Sequence, residues 1–251
     1  MRILGAVLIT IAMFVATMIA VTTISRALPE SVAGWLSPPL TTVVVFGLLY
    51  AYRRWTGRPW SGLGLTRTWW ALPQVLLGLA AGLLPLLAAN AVSVWAGAAT
   101  WAPPEPRPPA ILLLGLALIV LRAALPEEVL YRGHLYDVLT DRLGPNGVLA
   151  VTTLSFGALH ILSQSPASGI GEKLLFMVQA TAMGLLCGAC RERTGAVWMP
   201  VGVHTAVYVN LLIPAPASNY GAQLALQTAA LTLTAAAVLV TARRESPRPA
   251  R

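Results

Sequence analysis

Eight apolar stretches, separated by prolines, glycines and arginines, fix what this chain can fold into. They run approximately 3–24, 37–52, 71–99, 110–125 continuing towards 140, 147–163, 173–190, 196–213 and 221–242. A helix rises 1.5 Å per residue, so about twenty apolar residues cross the ~30 Å hydrocarbon core of a bilayer. Breakers occupy the connections, as in Leu28-Pro29-Glu30, Gly57-Arg58-Pro59 and Gly144-Pro145-Asn146. Only 10% of the 251 residues are charged, against roughly 25% in soluble domains. So little charge cannot clothe a water-facing surface, and lipid must be the solvent for much of the chain. The predicted fold is all-α, a polytopic transmembrane bundle of about eight helices. It forms one domain over 1–242, followed by a basic, disordered tail at 243–251. The first run, reaching about Val21, exceeds the roughly 7–15 residues of a secretory signal core and reads as a span.

The basic residues set the orientation. Cytoplasmic loops are enriched in Lys and Arg. With both termini inside, 12 basic residues fall on the inner side: Arg2, Arg53, Arg54, Arg58, Arg67, Arg142, Arg191, Arg193, Arg243, Arg244, Arg248 and Arg251. The outer loops hold 3, namely Arg26, Arg107 and Lys173. The bias recurs at every second connection, which predicts cytoplasmic termini and a multi-pass protein of the cell membrane. The net charge of +8 does not mark a nucleic-acid binder, because the arginines sit in short clusters rather than along one face. The lipid bilayer is the partner that this pattern implies.

Four charges break the pattern. Arg122, Glu127, Glu128 and Arg132 lie in or beside the fourth run. A charge at the bilayer centre costs about 2.5–3.5 kcal/mol, so two adjacent carboxylates cost at least ~5 kcal/mol before pairing. Two readings follow. Pro126 can open a helix at an interfacial turn, with both acids at its positive dipole end. Alternatively the acids form an intramembrane site. Two histidines favour the second reading, since His160 and His204 lie in the fifth and seventh runs among apolar residues. From the helical rise, His160 falls roughly 20 Å and His204 roughly 12 Å from the inner helix ends, and Glu127 roughly 22 Å from the inner end of its helix. The three groups are expected to meet in a water-accessible cavity open to the cytosol.

Such a set can hydrolyse. A glutamate takes a proton from water, one imidazole orients the water and another stabilises an oxyanion. The same groups suit a divalent metal such as zinc, and the residues alone leave both mechanisms open. Glu128 and Arg132 stand i, i+4 and face one another on a helix, which leaves Glu127 the freer acid. No H-E-x-x-H, Gly-x-Gly-Asp or Gly-x-Ser-x-Gly motif is present. Cys187 and Cys190, spaced C-x-x-C inside an apolar run, read as small packing residues.

These motifs resemble the CPBP intramembrane proteases, also called the Abi or CaaX-protease family. The family pattern is E-E-x-x-x-R, then F-x-x-x-H, then H-x-x-x-N. The chain offers Glu127-Glu128-Val129-Leu130-Tyr131-Arg132, then Phe156 to His160, then His204 to Tyr208. The resemblance spans about 110–213. It implies a membrane endopeptidase, cleaving peptide bonds near the cytosolic side, with Glu127, Glu128, His160 and His204 as its catalytic set. Glu127 would activate water, His160 position it and His204 stabilise the oxyanion. Arg132, Phe156 and Tyr208 would support them, Arg132 by pairing with Glu128. If a metal such as zinc takes part, Glu127, His160 and His204 would hold it. A peptide or protein substrate at the membrane is implied, and no nucleic acid. One departure is Tyr208, where the family carries Asn. Asn210 lies six residues past His204 and should point away from it. His134 matches no family position and reads as an interfacial polar residue. Buried Glu and His also serve proton or solute transport, although no internal repeat of the transporter kind is visible. A catalytically silent scaffold is the third reading.

Overall fold

A computed structural model describes residues 2–66 and 69–245, with the Glu245 side chain left aside. It contains eight helices: α1 (Ile3–Arg26), α2 (Glu30–Thr56), α3 (Ala71–Trp95), α4 (Pro109–Thr140), α5 (Pro145–Leu162), α6 (Ile170–Thr194), α7 (Trp198–Asn210) and α8 (Tyr220–Glu245). Seven of them are long and apolar enough to cross a membrane. The chain is a polytopic helical membrane protein, as its apolar runs require. Among the described residues there is no strand, only an isolated antiparallel bridge between Ala99 and Ala217.

Two helices depart from the expected limits. α2 begins at Glu30 rather than near 37 and carries Pro38 and Pro39 in its first half. α7 has 13 residues, about 20 Å of rise, and falls short of a full crossing. Arg67, Arg248 and Arg251, and the tail beyond Glu245, lie outside the described residues.

Tryptophans mark the two membrane levels. Trp55, Trp69 and Trp70 are exposed on the face that carries the termini, and Trp35, Trp95 and Trp101 on the other, as expected for interfacial belts. Two arginines counted as loop cations are in fact buried, Arg53 and Arg191. Arg53 reaches Asp137 at 3.0 Å, joined by Arg58 at 3.1 Å. Arg58 also meets Asp141 at 2.8 Å. The Arg58 guanidinium holds the Asp141 carboxyl below the usual carboxylate range. This clamp ties the end of α2 to the end of α4. His134, expected at an interface, is likewise buried, edge-on to Tyr52 at 5.1 Å.

Helix α7 is positioned by backbone contact with α3. A Cβ on Gly78 would sit 2.0 Å from the Met199 carbonyl oxygen, and one on Gly202 would sit 2.0 Å from that of Val75. Membrane helices lack a hydrophobic drive to associate, so small residues that permit close van der Waals packing take its place. Gly202 lies two residues before His204 and sets that histidine's depth and rotation. Gly202→Val is therefore expected to destabilise the detergent-solubilised protein by about 3 kcal/mol. Gly47→Val, where the added atom meets nothing within 4 Å, should leave its thermal unfolding near wild type. Equal unfolding temperatures for the two variants would contradict this packing.

Candidate active site

Helix α4 is not a regular helix where it carries the acids. Val120–Ala124 and Val129–Leu135 are π-helical and flank the α-helical turn Leu125–Glu128. Pro126 supplies a cause. It has no N–H for the Arg122 carbonyl, and its ring crowds that carbonyl. The wider turn relieves the crowding. The Leu125 N–H then reaches Val120 O, and the Leu121 carbonyl, left without its helical donor, accepts from the Thr42 hydroxyl of α2. Single-turn π segments recur at functional sites.

The two glutamates have different surroundings. Glu128 is fully buried and its Oε1 accepts from two cations or donors, Arg132 Nη1 at 3.2 Å and His204 Nδ1 at 3.0 Å. Arg132 Nη2 also donates to Gly184 O at 2.7 Å, and Arg191 Nε to the Arg132 carbonyl at 2.8 Å. A Cβ on Gly184 would stand 3.0 Å from Arg132 Nη2, so α6 leaves room there for the guanidinium. The i, i+4 pairing of Glu128 with Arg132 is thus present. Its further anchor points, Gly184 O and Arg191, had no signal in the sequence, since a carbonyl acceptor can belong to any residue.

Glu127 is half-buried and makes no hydrogen bond among the described residues. It faces a cavity of about 850 Å³, together with Arg122, Tyr208, Thr41, Ser163 and Gln164. Arg122, at membrane depth without an evident reason in the sequence, is exposed on this cavity wall.

The imidazoles gather around Phe156. His160 Nδ1 donates to the Phe156 carbonyl at 3.0 Å, which leaves its Nε2 with a free lone pair. The Phe156 ring centroid lies 4.7 Å from that of His160 and 5.9 Å from that of His204, and Arg132 Cζ sits 4.5 Å above it. Tyr208 stacks on His204 with centroids 5.9 Å apart and planes at 8°. Its ring therefore braces the imidazole and also reaches the cavity. Asn210 does point away, bonding Asn90 at 2.9 Å. Glu128, Arg132, Phe156, His160, His204 and Tyr208 form one cluster, and Glu127 flanks it on the cavity side. No direct bond joins Glu127 to either histidine among the described residues.

Among the described residues, no three His, Cys, Asp or Glu side chains stand together so as to hold a metal ion. Glu127, His160 and His204 do not fit a shared zinc as arranged. Cys187 and Cys190 are buried and unpaired with each other, as packing residues should be.

The cavity is also lined by Arg26, Leu28 and Glu30 at the α1–α2 turn and by Ser163 and Gln164 after α5. It therefore lies toward the helix ends opposite those that carry Ile3 and Arg244, and His160 stands at that end of α5.

Such a cluster is chemically suited to activating water. An acid with unshared lone pairs faces a polar cavity, next to an imidazole held in one orientation by a buried carboxylate. Residues 109–209, which carry every member of the cluster, match the family model described as Rce1-like, type II CAAX prenyl endopeptidase Rce1-like. No curated protein matches the chain. The order of the three motifs and this match agree: the segment from α4 to α7 is similar to the Rce1-like family of membrane proteases.

Proposed function

We propose that the protein is an intramembrane endopeptidase in which Glu127 activates the attacking water. The observation that supports it most is the division of labour between two adjacent acids. Glu128 is occupied by Arg132 and His204, while Glu127 faces the cavity without a hydrogen bond. In the proposed reaction Glu127 takes a proton from water as the oxygen attacks the scissile carbonyl carbon. His160 accepts a hydrogen bond from that water through Nε2. His204, when it carries both protons, donates Nδ1–H to Glu128 and Nε2–H to the oxyanion. Glu127 then passes its proton to the departing amine as the C–N bond breaks. Buried, pre-aimed donors of this kind are worth about 2.7–4 kcal/mol of barrier each. The Tyr208 hydroxyl, at the position of the family Asn, is a further donor on the cavity wall.

The test uses the purified full chain in detergent with a set of quenched peptides, cleavage sites being mapped by mass spectrometry. Endoproteolysis by wild type, reduced at least about a hundredfold in His160→Ala, is the expected result. A wild-type chain that is folded but cuts none of the peptides would overturn the proposal.

A further inference from the structure

We propose that Arg122 sets substrate specificity by binding a carboxylate of the polypeptide near the scissile bond. Calling the bound molecule a substrate rests on the protease reading above; the pairing of Arg122 with a carboxylate does not.

Arg122 is the charge that the proposed reaction leaves unused. It lies near the middle of α4, about 20 Å of helical rise from Pro109. An arginine at that depth is costly to place and marks a site unless a local partner accounts for it. No local partner does. Its guanidinium makes no hydrogen bond or ion pair among the described residues, in contrast to Arg132, which meets Glu128 and Gly184. Nor is it turned to lipid, for it lines the same cavity of about 850 Å³ as Glu127.

The cavity carries four charged side chains. Arg26 and Glu30 stand at the α1–α2 turn, and Arg122 and Glu127 stand on α4. Arg122 pairs with neither acid, so its donors remain for a ligand. Tyr208, which stacks on His204, is within electrostatic range of both Arg122 and Glu127. The guanidinium is therefore near the reacting groups without being bonded to them.

The ligand class follows from the group and its depth. A guanidinium takes a carboxylate through two parallel N–H···O bonds. A lipid phosphate belongs at the membrane surface, whereas Arg122 is near mid-helix. A peptide must enter this cavity for Glu127 to act on it, and it can carry an acid there. The helical rise from Arg122 to Glu127 is ~7.5 Å, the length of about two or three residues of extended chain. The carboxylate then sits about that far from the cut, as an acidic side chain or as the C-terminus of the peptide.

The purified full chain in detergent is given quenched peptides with one Glu, or Gln in its place, two or three residues from the mapped cut. Each is made with a free and with an amidated C-terminus. Wild type is expected to cleave a carboxylate-bearing peptide at least about tenfold better in kcat/KM, mostly through KM. A preference lost with Gln identifies the side chain, and one lost on amidation identifies the terminus. Arg122→Gln should abolish the preference while cutting the neutral peptide at the wild-type rate, and Arg122→Glu should favour a peptide with Lys at that position. No preference in wild type, or equal slowing of every peptide by Arg122→Gln, would overturn the inference. If no peptide is cut at all, the protease reading fails, and binding of the same peptides, fluorescently labelled and followed by anisotropy, still decides the role of Arg122. Tighter binding of the carboxylate form that is lost in Arg122→Gln upholds it, and equal binding of all forms overturns it.

Discussion

Glu127→Gln is expected to abolish peptide cleavage while leaving the protein folded. General-base catalysis contributes about 10²–10⁴-fold, and an amide cannot accept the water proton. The replacement has nearly the same volume. Glu127 makes no hydrogen bond among the described residues and borders the cavity, so no partner is orphaned by the change. Purified Glu127→Gln should therefore unfold at the wild-type temperature and cut the peptide at least about a hundred times more slowly. The contrast with its neighbour is the informative part: the two glutamates are adjacent in sequence and differ in surroundings. Activity within tenfold of wild type would remove Glu127 from the mechanism.

Arg132→Met should do the opposite and cost stability first. Glu128 and Arg132 are both fully buried, 3.2 Å apart. Assembling such a pair gains little, because desolvation consumes most of the attraction. Breaking it strands a charge in a medium that cannot solvate it, at about 3–5 kcal/mol. For a chain of this size that corresponds to roughly 10 °C in thermal midpoint. Glu128→Leu should be similarly harmful, since it leaves the Arg132 guanidinium without its carboxylate, facing Gly184 O and the Phe156 ring. The double variant Glu128→Leu/Arg132→Met, with both charges removed, should recover most of the loss and remain inactive, because His204 has lost its carboxylate. Thermal unfolding followed by circular dichroism reads all three. If each single variant unfolds at the wild-type temperature, the pair does not hold α4 in place.

Much of the architecture could be read from sequence because lipid allows few solutions. An apolar run of sufficient length must form a helix, so the helix limits agree with the runs except where local chemistry intervened. α2 reaches seven residues further back than its apolar run, through Pro38 and Pro39. Glu128 with Arg132, and Asn210 turned from His204, followed from helical spacing alone. The π segments did not, because the consequence of Pro126 depends on the Leu125 N–H finding Val120 O and on Thr42 of another helix being at hand. Charged residues misled in a consistent way. Arg53, Arg191 and His134 looked interfacial by position but are buried, since ends of helices in a packed bundle contact one another as well as water. Which helix ends surround the cavity beside Glu127 required the tertiary arrangement, for they come from four different helices and their connections.

The central claim is that the cavity-facing Glu127 and the Glu128-bound His204 act on one peptide bond. A double-mutant cycle measures this most directly, with kcat/KM determined for wild type, Glu127→Gln, His204→Ala and the double variant on the same peptide. Groups that work as a unit are strongly non-additive. Each single variant is expected to lose cleavage by about a hundredfold or more, and the double variant to be scarcely worse than the poorer single. Losses that multiply, or a His204→Ala protein that cuts at the wild-type rate, would contradict the account.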